Sequence, residues 1–249
     1  MKKLIPMMLV LALLLCACGG SNPPAGTVTT TPPETTPATT EPAQTVPVTT
    51  APAETEPVTE PANTMSLGRI EGGTYINSYM GFAIDLDSTW TYYTAEELQE
   101  LPENVSEMLS GTEFEDDVLN NITDMMAESA EYLATINVQY QKLDMATRLA
   151  YAAMSDDAIL DLALTEVDAM AAAYEQMGLT DAAFSKTTAT FLGEEVPALM
   201  TTYLMDGIPC YCLQVFDYHL GQYSCTITFT SFLEDNTADL ASMCYAIEG

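Results

Sequence analysis

The sequence predicts an α+β domain in which an antiparallel β-meander forms a sheet flanked by helices. Three observations predict it. Four apolar-rich runs lie between Phe184 and Phe232, separated by short turn sequences; the last run alternates strictly; and the segments before and after carry helix caps and helical apolar spacing.

The meander reads strand by strand. Phe184–Phe191 is Thr-rich with Phe at both ends, and Leu192-Gly193-Glu194-Glu195 turns the chain, with Gly supplying positive φ. Val196–Met205 follows, and Asp206-Gly207 between two apolar runs is a hairpin signal. Ile208–Asp217 is the third strand, and Tyr218-His219-Leu220-Gly221 is expected to turn it into Gln222–Phe232. There Tyr223, Cys225, Ile227 and Phe229 alternate with Ser224, Thr226, Thr228 and Thr230, the period of a strand with one apolar and one more polar face. Pro197 and Pro209 fall near strand starts, where a missing N–H is tolerated.

Upstream, Thr74–Asn77 and Phe82–Leu86 read as two short strands, followed by Trp90, the only Trp. Thr94-Ala95-Glu96-Glu97 is a capping box opening a helix to about Leu101. Val118, Ile122, Met125, Met126 and Leu133 fit a helical stripe and predict a helix over Asp117–Leu133. Thr135–Leu143 reads as a strand, with Ile136, Val138 and Tyr140 on one side. Ser155 can cap a long helix to Met177, with Asp156 and Asp157 in its first turn and Gly178 as its stop. A last helix is expected over Asn236–Ile247.

The first 66 residues carry a different message. Residues 1–17 read as a signal peptide: Lys2-Lys3, then an apolar core from Leu4 to Leu15, too short for the roughly 20 residues of a spanning helix. Leu15-Cys16-Ala17-Cys18 matches a bacterial lipobox. Cys18 is the lipid acceptor because small Ala17 precedes it, whereas Cys16 follows bulky Leu15. Residues 18–66 then form the lipidated Cys and a Thr/Pro/Glu-rich linker. Ser21–Ser66 holds ten of the 14 prolines and 14 threonines, with no aromatic residue, Lys or Arg. Such a composition cannot bury enough apolar surface to offset ordering entropy, so disorder with extended polyproline-like stretches is expected. The expected location is extracytoplasmic, lipid-anchored to the outer face of the plasma membrane. Residues 67–249 are long enough for one core-bearing domain.

Tyr75-Ile76-Asn77, Gly81-Phe82-Ala83-Ile84 and Trp90 resemble the opening hairpin of PsbP-like domains. Thr135-Ile136-Asn137-Val138, the Phe191-Leu192-Gly193 turn and Ile227-Thr228-Phe229-Thr230-Ser231 are similar to later parts of that module. The resemblance spans about residues 70–248 and implies an α/β/α sandwich, a fold shared with Ran-binding proteins, and a non-enzymatic binding or accessory role. Relatives commonly carry Pro three residues before the Trp; Asp87 stands there here. No ligand residues carry over.

Charge narrows the partners. The chain is −30, and the 67–249 domain alone sets 31 acids against Arg69, Lys142, Arg148 and Lys186. Nucleic acid and anionic polymers would be repelled; a cationic protein or Ca²⁺ would not. Glu113, Glu115, Asp116 and Asp117 are the densest acid cluster, but without an EF-hand pattern they read as a solvated face. Cys210, Cys212, Cys225 and Cys244 allow three pairings; free buried thiols and one disulfide both fit, while Cys-x-Cys lacks metal-site spacing. His219, the only His, lies without a nucleophile motif, so no catalytic residue, metal or cofactor is assigned. Tyr79, Tyr92, Tyr93, Tyr218 and Tyr223 fall near turns or strand ends, where amphipathic rings suit a recognition patch. The expected function is that of a lipoprotein binding another envelope or extracellular protein. A carrier of a small ligand or cation is the alternative, and an enzyme is the third reading.

Overall fold

The computed structural model describes residues 65–111 and 121–247. The expected signal peptide, Cys16, Cys18, the expected linker up to Thr64 and the acidic cluster at Glu113, Glu115, Asp116 and Asp117 lie outside the described residues.

The strands form two antiparallel sheets. The small one, in the order β1 (Arg69–Glu71), β2 (Thr74–Asn77), β3 (Phe82–Asp85) and β11 (Cys244–Ala246), holds the opening hairpin. The large one orders seven strands as β4 (Trp90–Tyr92), β5 (Asn121–Ser129), β6 (Ala134–Lys142), β10 (Tyr223–Phe232), β9 (Ile208–Leu220), β8 (Glu194–Met205) and β7 (Leu179–Phe191). The last four are the expected meander, β7 to β10 in sequence. Its first two turns place Leu192-Gly193 and Asp206-Gly207 at positive φ, 52° and 84°, then 53° and 80°. Two consecutive left-handed residues give a turn whose twist matches the flanking strands. The third turn differs from expectation. Strand β9 continues through Tyr218, His219 and Leu220, and the chain reverses at Gly221-Gln222, with Leu220 opposite Tyr223.

Helices α1 (Ala95–Met108), α2 (Met145–Tyr151), α3 (Asp156–Ala163), α4 (Val167–Gln176) and α5 (Thr237–Ser242) complete the described elements. The capping box opens α1: Thr94 N–H donates to Glu97 Oε2 at 2.8 Å, and Glu97 N–H donates to Thr94 Oγ1 at 3.3 Å. Ser155 Oγ accepts from Ala158 N–H and starts α3 as expected. The long helix that follows is broken by a 3₁₀ turn at Leu164–Glu166 before α4, which Gly178 ends at φ 81°. Helix α2, capped by Asp144, has no counterpart in the sequence expectations. The final helix stops at Ser242, and Cys244–Ala246 pair with Phe82–Ile84 instead of continuing it.

The largest correction is β5. Asn121–Ser129, expected within a helix, is a strand paired with β4 and β6. A bulge between Thr123 and Met125 leaves Asp124 as the extra residue, so strand alternation changes phase there. Met125 and Ala127 consequently enter one core and Met126 the other.

Those two cores lie on opposite faces of the large sheet. One joins it to the small sheet and α5 through Tyr75, Phe82, Ile84, Ile136, Val138, Phe229 and Leu240. The other joins it to α1, α3 and α4 through Leu101, Leu160, Met170, Tyr174, Leu199 and Tyr203. The small sheet is also latched by a half-buried carboxylate. Asp124 accepts from Gly68 N–H at 2.9 Å, Tyr75 O–H at 2.7 Å and Asn77 Nδ2 at 3.2 Å, and Asn77 Nδ2 also donates to Tyr140. A Cβ on Gly68 would sit 2.4 Å from the Tyr75 ring, so only glycine lets that backbone reach Asp124.

The middle of the large sheet is polar even where it is covered. On the helix-side face, Asn137, Gln139, Thr226 and Thr228 are all buried. Gln139 donates to Thr123 and Gln214 to Thr228, but neither amide atom of Asn137 has a protein partner.

Candidate functional site

A notch opens where β4, the β5–β6 turn and α5 meet. It encloses about 240 Å³ and is lined by Trp90, Tyr132, Asn236, Asp239, Leu240 and Met243. Each side chain is placed by a local rule. Asp87 makes an Asx-type turn that accepts from Thr89 N–H at 2.8 Å, and Trp90 N–H donates to Asp87 C=O at 3.1 Å, which starts β4 with the indole in the core shared with the small sheet and α5. Pairing of Trp90 with Ser129 brings the β5–β6 turn alongside. Tyr132 N–H donates to Ser129 Oγ, and its hydroxyl donates to Asp87 Oδ2 at 3.3 Å, so its ring stacks on the indole. Beyond β10, Asn236 N–H donates to Ser231 Oγ and Asp235 accepts from Thr237, which sets the start of α5 and hence Asp239, Leu240 and Met243.

The notch is polar in a specific way. Trp90 is 7% exposed and its indole N–H has no acceptor. Asn236 Oδ1 is buried with no donor. Both atoms are sealed from solvent, although their residues line the depression. Its charge is acidic throughout. Asp239 lines it, Asp87 sits behind Tyr132, and no basic side chain is among the lining residues. The Thr89 hydroxyl and N–H hold the Asp87 carboxyl below its ordinary pKa, and that carboxylate pushes the Tyr132 phenol up. Neither group changes charge near neutrality.

Two leucines extend the surface. Leu133 follows Tyr132, and its carbonyl accepts from Phe232 N–H, which places Leu233 beside it. They are 43% and 52% exposed and adopt φ of 49° and 72°. A bulky residue in the left-handed region costs conformational energy, and an exposed Leu recovers none of it by burial. Leu133 adjoins Tyr132 of the notch in sequence, and Leu233 lies three residues before Asn236.

The tyrosines singled out from sequence fall into three separate clusters. Tyr79 and Tyr223 come together, both edge-on to Tyr140 with centroids 5.9 and 6.5 Å away. Tyr79 is buried and donates to Leu220 C=O; Tyr92, in the same core, donates to Gly73 C=O. Tyr93 packs on the helix side and donates to Glu128, while Tyr218 stacks on Phe216 and meets Tyr151 edge-on. Each of them is used within the domain, and none lines the notch. Trp90 was noticed in the sequence only as the sole Trp. Tyr132 and Met243 carried no signal, because the notch assembles three distant segments.

The four described cysteines form no disulfide. Cys210 and Cys212 belong to the helix-side core, Cys225 and Cys244 to the other, so the large sheet separates the two sets and a disulfide between them is excluded in this fold. His219 Nε2 lies 3.0 Å from Asp156 Oδ1 on an exposed edge, away from the notch. Among the described residues no cluster of three or more His, Cys, Asp or Glu is arranged to hold a metal, and no helix is long and apolar enough to cross a membrane. Neither a protein-family model nor a curated protein matches the chain in sequence comparison.

Proposed function

We propose that this chain is a lipid-anchored extracytoplasmic binding module that docks another envelope or extracellular protein through the Trp90–Tyr132 notch. The observation that carries the reading is the notch itself. At about 240 Å³ it is smaller than the roughly 300–1,000 Å³ of pockets that enclose a whole small molecule, but large enough for one anchoring side chain. An aromatic-walled depression flanked by exposed leucines is the form of an interface hot spot. The lipobox at Cys18 and the Thr/Pro-rich linker support display of the domain away from the membrane. The opening hairpin and the meander support placing the domain with the PsbP-like modules.

The test uses the full lipidated protein in cells. A photo-crosslinking residue in place of Leu233 is expected to capture one dominant envelope or extracellular protein, and Tyr132→Ala to abolish that capture at equal protein level. No reproducible partner, or a partner retained by Tyr132→Ala, overturns the docking reading. Cys18→Ala is expected to release the protein from membranes; retention of that variant and release of Cys16→Ala would move the lipid site.

A further inference from the structure

We infer that the outer edge of β7 takes an extended, basic segment of another protein as a further strand of the large sheet. This goes beyond the notch, since β7 and the Trp90-bearing β4 are opposite edges of that sheet.

The edge is long and open. Strand β7 is the last of its sheet, and among the described residues no other backbone group bonds its outer side. Phe191 and Glu194 flank a two-residue turn and close it as a hydrogen-bonded pair. From there the register runs without a shift back to Ala183. Ladder bonds alternate along an antiparallel strand. Phe191, Ala189 and every second residue back to Ala183 therefore bond β8, and the N–H and C=O of Phe184, Lys186, Thr188 and Thr190 point outward. Such a row is a template for another strand.

The usual safeguards of an edge are missing here. The other edge strands, β1, β4 and β11, have three residues each, whereas β7 has 13. It carries no Pro, and its bulge is confined to Thr180–Ala183. Its single Lys, the residue type that commonly guards an edge, is held on α3. Lys186 Nζ lies 3.0 Å from Asp157 Oδ2 and 2.6 Å from Asp161 Oδ1.

Charge selects the occupant. Two largely exposed carboxylates meet one lysine, which leaves excess negative charge beside the middle of the edge. Exposed Asp181 stands at one end, and exposed Glu194 and Glu195 at the other. A second copy of this −30 chain would set these acids against themselves, whereas a basic segment is attracted. A cation on the residue opposite Lys186 would share its face of the sheet with the α3 carboxylates.

The test titrates full-length protein with the blocked peptide acetyl-Thr-Lys-Val-Lys-Val-Lys-Thr-amide, whose lysines share one face when extended. Two analogues accompany it, one with Glu for each Lys and one N-methylated at every internal amide. Affinity is read by calorimetry and the bound edge by single-residue amide exchange. The Lys peptide is expected to bind saturably and to protect the amides of Phe184, Lys186, Thr188 and Thr190, leaving those of Ser185 and Thr187 little changed. Both analogues are expected to bind at least about tenfold more weakly. Thr188→Pro removes one outward N–H, which an edge strand tolerates, and is expected to weaken the Lys peptide at an unchanged melting temperature. The N-methylated peptide makes the same comparison without a variant. Tyr132→Ala is expected to leave binding unchanged.

No saturable binding, or equal binding of the N-methylated peptide, overturns strand addition. Equal binding of the Glu peptide overturns the basic occupant. Protection of the same four amides in a dimer of the protein alone makes the occupant a second copy and overturns the partner segment. Loss of peptide binding in Tyr132→Ala moves the peptide to the notch and overturns the edge. A protein captured through Leu233, with no binding of the Lys peptide, leaves notch docking standing and removes the edge; the opposite pair of results does the reverse.

Discussion

Trp90 and Tyr132 stack with ring centroids 5.9 Å apart and planes 23° from parallel, although 42 residues separate them in the chain. Tyr132 covers the indole from the solvent side while remaining 44% exposed. Tyr132→Ala is therefore expected to shift the emission of the sole Trp to longer wavelength. It should cost only about 1 kcal/mol of stability, the usual worth of an aromatic pair beyond area burial. Trp90→Ala removes a buried side chain and should cost about 3–5 kcal/mol in denaturant unfolding. Equal costs would show that the tyrosine is core rather than cover.

Asp124 gives the fold a pH signature. Burial raises its pKa above the ordinary 3.8, and the Tyr75 and Gly68 hydrogen bonds only partly oppose that rise. A carboxyl with a raised folded pKa binds its proton more readily in the native state. Its charge therefore costs nothing below about pH 3.8, and the cost grows as pH rises through the folded value. Stability of the wild type against unfolding should fall over the interval from about pH 3.8 to the folded value and level off above it, and Asp124→Asn, which keeps an acceptor oxygen, should flatten the profile. Asp124→Ala leaves Gly68 N–H and Tyr75 O–H without their acceptor and should cost about 3 kcal/mol. A variant profile parallel to the wild type would place the pH dependence elsewhere.

The first two turns of the meander were legible because they carry Gly193 and Asp206-Gly207, residue types that tolerate the left-handed conformation; Leu192 adopts it against its own preference. Strand β5 was not legible, for a specific reason. Its bulge puts Asp124 and Met125 on the same side, so Ile122, Met125 and Met126 follow the i, i+3, i+4 spacing of a helix while belonging to a strand. Helical periodicity is ambiguous over so short a run, and pairing with β6 decides it. The end of the chain failed similarly. Leu240, Met243 and Cys244 keep helical spacing, but Cys244 and Ala246 satisfy the edge of β3. Tyrosine positions near turns were visible, whereas their mutual arrangement depended on which core each strand end entered.

The polar centre of the large sheet predicts an unusual substitution. Asn137 is fully buried, and both its amide atoms lack protein partners. An unmet buried polar group carries its full desolvation cost, so exchanging it for an apolar group of similar size recovers that cost. Asn137→Leu is expected to raise stability by about 1–3 kcal/mol in urea unfolding with unchanged m-value. Destabilisation of that size would mean that solvent or another group satisfies the amide.

The thiols give the last test. Burial pushes Cys210 up to about 11, and Cys212 and Cys244 to about 12. The thiolate is the reactive form, and these three sulfurs are both protonated near neutral pH and closed to solvent. Cys225 is buried in the core beside Tyr140 and is equally inaccessible. These four sulfurs should show no reaction with an aromatic disulfide reagent on the time scale of minutes, and all four should react in denaturant without reductant. Two thiols in denaturant would reveal one disulfide. Since the sheet separates Cys210 and Cys212 from Cys225 and Cys244, that bond would have to lie within one core. Residues two apart on an extended strand hold their Cα atoms about 6.5 Å apart with side chains parallel, a poor geometry for bridging. A two-thiol result would thus point to Cys225–Cys244; a Cys225→Ser variant should then show three of these thiols in denaturant, whereas only one would place the bond at Cys210–Cys212.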